Sequence, residues 1–299
     1  MDPKAGRSLT PSRSIAPSEP DLTTQRGVRA ALEAYGLRLR PARGQHFLIS
    51  RRILDRVLDA AAVGPHDGVL EIGAGIGTLT VALARSGARV AAVEVDARFI
   101  PLLRDTCAPY PDVQVIHADA MRLDPTALPF SPSKVVANLP YSIASPLLIN
   151  LLEGGIGRRL VVMVQDEVAT RIAAPPGGKT FGLLSVAVQA YATPKIVARV
   201  PRSAFFPPPE VRSAIVRLDV REQLPLPKDQ MPWLMAVARA AFGQRRKMLR
   251  TALQRVNDRR LPAVAVEALC AEAGIDARRR GETLSIEEFA RLAMAFDRE

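Results

Sequence analysis

The chain has 299 residues, 48% of them apolar, which is enough for one large domain and a smaller one, each burying a core. Its 41 basic and 30 acidic residues leave a formal charge of +11, which favours a polyanionic partner: nucleic acid first, an anionic membrane surface second. Cys107 and Cys270 lie far apart and outside any metal-ligand spacing, and no run approaches the roughly 20 apolar residues of a membrane helix. These features argue against a zinc site, a disulfide framework and a membrane span, and the expectation is a cytoplasmic protein that binds no metal.

Residues 1–26 are rich in Ser, Pro, Thr and Arg and lack both periodicity and the apolar run of a secretory signal. A disordered tail is expected there. From residue 27 a short helical pattern leads into an alternation of strands and helices. Residues 51–63 carry apolar positions at helical spacing, 68–73 read as an apolar strand ending in glycine, and 78–85 as a helix. Strands follow at 88–95, 113–118, 134–139 and 159–165, with helices at 97–107 and 146–153. Such alternation predicts an α/β fold with a parallel sheet covered on both faces, and ligands then bind beyond the carboxyl ends of the strands. Near residue 195 the pattern changes. KIVARV and VRSAIVRLDV flank the stiff stretch PRSAFFPPPE, and an antiparallel pair at one edge of the sheet is expected. Beyond about residue 223 only helical patterns remain, at 231–242, 244–257, 262–273 and 285–297. The domains expected are therefore 27–222 and a small all-helical one at 223–299.

LEIGAGIGTLT (70–80) places Gly73, Gly75 and Gly77 in a strand-to-helix turn, where glycine lets the backbone approach a ligand closely. The dinucleotide fingerprint would need glycine at position 78, which is Thr78, so a pyrophosphate ligand is disfavoured. The next strand ends in Glu94, whose carboxylate can accept two hydrogen bonds from a ribose diol. The third ends in Asp119, which can take an adenine amino group. Taken singly, both acids also suit solvated helix caps. Together with the glycine turn they describe a nucleoside pocket.

The fourth strand runs into Asn138-Leu139-Pro140-Tyr141. NLPY is similar to the signature of methyltransferases that act on exocyclic amines. GQHFL (44–48), EIGAGIGTLT, VEVD, HADAM, NLPYSIASPLL, QDEVATRI, KTFGLLSV, VPRSAFFPPPEVRSAIVRL and FGQRRKMLRTAL follow in order over about residues 36 to 295. In this register the chain resembles the small-subunit ribosomal RNA adenine N6,N6-dimethyltransferases. The resemblance implies a Rossmann-like class I methyltransferase sheet with a small C-terminal helical domain, S-adenosyl-L-methionine as cofactor, and small-subunit (16S) rRNA as partner; nothing in the sequence demands more than a monomer. It implies methylation of two adjacent adenosines in a 3′-terminal hairpin loop. It also implies roles: His46, Leu48, Gly73, Glu94, Asp119 and Asn138 at the cofactor; Asn138, Pro140 and Tyr141 at the target adenine; Phe181 as a second aromatic face clamping the base opposite Tyr141. His46 stands where the commonest form of that motif has Asn, which changes the geometry and charge of the contact. A pH-sensitive cofactor affinity is a hypothesis that follows from it.

Residues 239–260 carry eight basic side chains against Asp258 alone. Read as one helical stretch, they form a phosphate-binding face centred on Arg245, Arg246, Lys247 and Arg250. Two rival readings remain: a large-subunit adenine methylase of the macrolide-resistance type, and a non-catalytic assembly factor on the same scaffold.

Overall fold

The computed structural model describes residues 20–39 and 44–298. Residues 1–19 of the expected tail, and residues 40–43, lie outside the described residues. Helix α1 (Gln25–Ala34) begins inside the stretch assigned to the tail, because the Thr24 side chain accepts from the Gly27 N–H and caps it. A two-residue strand β1 (Phe47–Leu48) and α2 (Arg51–Ala61) follow. The alternation then runs β2 (Gly68–Ile72), α3 (Thr78–Arg85), β3 (Arg89–Glu94), α4 (Ile100–Cys107), β4 (Val113–His117), β5 (Lys134–Asn138), α5 (Ala144–Glu153) and β6 (Arg159–Gln165). Two short helices, α6 (Asp166–Ile172) and α7 (Leu183–Gln189), precede β7 (Ala192–Val200), β8 (Phe205–Phe206) and β9 (Ser213–Val220).

The seven-stranded sheet has the order β4-β3-β2-β5-β6-β9-β7. Its first five strands are parallel; β9 joins β6 antiparallel and β7 closes that edge. Period-two alternation sorts the side chains. Leu70, Ile72, Val135, Ala137, Leu160 and Val162 face α5 and α7; Val69, Val90, Val136, Val161 and Met163 face α2 and α3. The chain leaves β2 toward β3 and β4, then returns to β5 on its other side. That reversal opens a crevice at the carboxyl ends of β2 and β5.

The last part holds α8 (Met231–Gly243), α9 (Leu249–Ala252), a hairpin of β10 (Arg255–Val256) and β11 (Arg259–Arg260), α10 (Ala263–Glu272) and α11 (Ile286–Arg298). The helix expected over 244–257 is not formed. The chain turns at 244–247, Met248 is extended, and Asn257 adopts φ +53° to close the hairpin. The basic run therefore does not share one helix face. Leu234, Val237, Phe289 and Phe296 join the core of the α5 and α7 side without a break. Among the described residues no helix is long and apolar enough to cross a membrane.

Candidate active site

The crevice between β2 and β5 collects the singled-out motifs. Ile72 pairs with Ala137, so Gly73 follows β2 level with Asn138 at the end of β5. A Cβ on Gly73 would sit 3.5 Å from the Asn138 carbonyl and 3.8 Å from the Pro140 ring. A Cβ on Gly44 would stand 3.9 Å from Pro140. Three sequence-distant segments thus converge: GQHFL, the glycine turn and NLPY.

The glycine turn is closed on β3. The N–H groups of Gly73 and Ala74 both donate to the Val93 carbonyl, at 2.9 and 3.1 Å. Gly73 has φ +74° and Gly75 φ +59°, a region open to glycine at little cost. Gly75 has a second constraint: a Cβ there would lie 2.7 Å from the Phe47 ring. Its N–H donates to Glu94 Oε2 at 2.8 Å, and the Asp96 N–H donates to Oε1 at the same distance. Glu94 is buried, and desolvation holds its carboxyl above the usual range despite these donors. Asp96 is held down to about 2 by the Arg98 guanidinium, and Gln45 of GQHFL donates to one of its oxygens at 2.9 Å. Asp119 lies two residues beyond β4, beside Ala118, whose N–H donates to the Glu94 carbonyl. One Asp119 oxygen caps a 3₁₀ turn through the Met121 N–H at 2.9 Å, so the cap role is real and the second oxygen remains for a ligand. Val95, between Glu94 and Asp96, is 61% exposed, an apolar surface that spacing arguments did not single out.

Beneath the turn, Glu71 is 1% exposed, and its Oε2 has no hydrogen-bond partner among the described residues. Burial pushes its carboxyl up to about 8. Glu71 is therefore largely protonated at neutral pH.

Around NLPY, the Asn138 Nδ2 donates to the His46 carbonyl at 3.1 Å. The Pro140 carbonyl accepts from the Ile143 N–H at 3.2 Å, while the Leu139 carbonyl accepts nothing among the described residues. The His46 ring stacks near Tyr141, centroids 6.1 Å apart and planes 24° from parallel. Its Nδ1 contacts the Pro207 carbonyl at 2.8 Å, which makes Nδ1 the donor. Leu48 is buried and pairs with Phe205 across β1 and β8. The Tyr141 hydroxyl meets the Ser213 hydroxyl at 2.5 Å.

Phe181 does not belong to this group. It is fully buried and packs edge-on against Phe242, 6.0 Å between centroids. An aromatic in an apolar run is pulled into the core by its area, and here that force decides. Arg245 likewise serves the fold. Its guanidinium pairs with Glu282 at 3.0 Å and donates to the carbonyls of Lys179 and Phe181. Arg246 and Lys247 are exposed, and Arg250 is 3.5 Å from Glu267. The Leu249 and Arg250 N–H groups donate to the Arg279 and Ala277 carbonyls. This contact brings exposed Arg278 and Arg280 alongside, a cluster the basic run alone did not reveal. Arg259 lies over the Trp233 ring at 4.8 Å. Among the described residues no group of His, Cys, Asp or Glu is arranged to hold a metal.

A parallel sheet with an antiparallel pair at one edge, a glycine turn at the switch point and Asn-Leu-Pro-Tyr beside it define a Rossmann-like class I methyltransferase. The model of the family "Ribosomal RNA adenine dimethylase" matches residues 36–297. The chain is 42% identical over 282 residues to "Ribosomal RNA small subunit methyltransferase A" of Shouchella clausii, covering 92% of this chain and 95% of that one. It is 42% identical over 281 residues to the protein of the same name from Anoxybacillus flavithermus, covering 91% and 95%. Among solved structures, a dimethyladenosine transferase from Plasmodium falciparum superposes with a TM-score of 0.73 at 27% identity, over 85% of this chain and 98% of that one. A 23S rRNA methyltransferase, ErmE, superposes with a TM-score of 0.66 at 28% identity, over 84% and 99%. The chain belongs to the ribosomal RNA adenine dimethylase family.

Proposed function

We propose that this protein is an S-adenosyl-L-methionine-dependent methyltransferase of the cytoplasm. Its substrate is small-subunit (16S) rRNA during ribosome assembly, where it dimethylates N6 of two adjacent adenosines in a 3′-terminal hairpin loop. The observation that carries the reading is the Asn138 amide, held by its Nδ2 so that Oδ1 is left as an acceptor in the crevice beside the glycine turn.

The residues fit the cofactor. The Gly73 N–H is already used, so the atom it offers is its carbonyl, which suits the ammonium of an amino acid moiety. Glu94 has lone pairs remaining for a ribose diol, exposed Val95 gives adenine an apolar surface, and Asp119 has an oxygen for the adenine amine. His46 and Leu48 close the crevice from the GQHFL side. When bound, the cofactor supplies an electrophilic methyl group on a positively charged sulfur.

The N6 lone pair of adenine is delocalised into the ring and is a poor nucleophile. Acceptors on both N6 hydrogens localise it. Asn138 Oδ1 is one; the Leu139 carbonyl, which accepts nothing among the described residues, and the remaining lone pair of the Pro140 carbonyl are candidates for the other. Tyr141 stacks on the base, which must leave its own helix to enter. These acceptors would hold the nitrogen in line with the methyl group that a bound cofactor would supply, and the N6 proton would leave to water. Holding the reacting atoms in line supplies most of the rate, so no strong base is required. Residues 223–299, with Arg246, Lys247 and Arg250, bind rRNA phosphates, and one copy of the chain suffices.

The test uses labelled cofactor with small subunits lacking methylation, large subunits, and an Asn138→Ala control. Dimethyladenosine in small-subunit RNA alone, lost in the variant, is the expected result. Label in large-subunit RNA would move the chain to the other rRNA substrate, the one named for ErmE. Tight binding without label would favour an assembly factor.

A further inference from the structure

We propose that Ser213 is a positioning residue for base recognition, fixing the ring plane of Tyr141 through the bond between their hydroxyls. The inference rests on the reading of NLPY as the adenine site.

Tyr141 lies in a turn, outside any helix or strand, so its backbone alone does not lock its ring. Its hydroxyl is tied to Ser213 Oγ at 2.5 Å. Ser213 sits on the opposite kind of support. It opens β9, which is hydrogen-bonded on both sides, with Gln165 and Val200 as its partners in register. It is fully buried, as are Ala214, Ile215 and Val216 after it. Packing alone would favour an apolar residue in that strand. A buried hydroxyl persists at low cost only with a partner, and Tyr141 is that partner. The argument also runs from the tyrosine. Stacking on a base needs only the ring, which phenylalanine would supply; the hydroxyl is what ties the ring to the sheet. The antiparallel strand β9 thus has a part in the chemistry of β5, although Ser213 touches neither cofactor nor base.

Four proteins decide it: wild type, Tyr141→Phe, Ser213→Ala and the double variant. Each is assayed at full length with unmethylated small subunits and labelled cofactor. Tyr141→Phe removes the same bond without altering the sheet, which covers the case in which Ser213→Ala weakens the fold. Each single change should lower kcat about tenfold, the worth of one oriented hydrogen bond. KM for subunits and cofactor Kd should stay within about twofold, because phosphate contacts dominate RNA affinity. The double variant should be no slower than the worse single one. Tyr141→Phe with wild-type kcat, or losses that multiply to about a hundredfold, would overturn the positioning role. Wild type that transfers no methyl would overturn the adenine-site reading and this inference with it.

Discussion

Asn138 donates its side-chain N–H to the backbone carbonyl of His46 at 3.1 Å, so the residue at the end of β5 is oriented by a loop 92 positions earlier. An amide needs both ends here, a donor toward His46 and an acceptor toward the crevice. Asn138→Asp loses the donor and sets a carboxylate against a carbonyl. It should lose at least about 100-fold in kcat despite its closer shape, comparable to Asn138→Ala. Single-turnover methylation measures it; an Asp variant with near-wild-type kcat would remove the orienting role of His46.

Glu71 gives a pH signature. Its carboxyl is raised from 4.5 to about 8 by burial, so the folded chain keeps a proton that the unfolded chain releases. The stability it contributes is complete below about 4.5 and lost as pH rises through about 8, at up to about 1.4 kcal/mol per pH unit. Urea unfolding should show wild type weaker at pH 8.5 than at pH 5.5, and Glu71→Gln less affected. Equal slopes for the two proteins would mean that Glu71 is ionised in the fold.

Phe181→Ala is expected to act on stability. Removing a fully buried phenylalanine costs about 3–5 kcal/mol, and Phe242 loses its edge-on partner. The variant protein that remains folded should keep cofactor affinity and bind RNA as before. Unchanged stability with a large loss in kcat would return Phe181 to the base clamp.

The basic side chains divide by their partners. Arg246→Gln with Lys247→Gln should weaken RNA binding and reduce the slope of log affinity against log salt by about 2, with no change in thermal midpoint. Arg245→Gln should instead lower the midpoint, because Arg245 ties Glu282 to the carbonyls of Lys179 and Phe181. An unchanged slope for the first pair would mean RNA lies elsewhere.

The sheet was legible because its strands are short apolar runs alternating with helical patterns, and the antiparallel edge because the three prolines of PRSAFFPPPE cannot sit in a central strand. The crevice followed, since Gly73, Glu94 and Asn138 all end strands. What was hidden is set by register and solvent. Nothing in the spacing distinguishes Phe181 in the core from Phe181 on a surface. The basic run at 239–260 has a helical composition, yet Gly243, Met248 and Asn257 break it into a turn, a short helix and a hairpin. Ser213 lay within a recognised motif, but only the pairing of β9 with β6 places it against Tyr141. Two-residue β1 and β8 are too short for any periodicity to reveal.

Glu94 holds the Gly75 and Asp96 amides, each of its oxygens accepting from one backbone donor. The cradle is consequently rigid before any nucleoside arrives, and its assembly cost is met during folding. Association there should proceed as lock and key, with little ordering entropy and little change in amide exchange across residues 73–77. On the proposed reading of Asn138-Leu139-Pro140-Tyr141 as the adenine site, discrimination among bases would then rest with the incoming base and not with closure of the protein around its methyl donor.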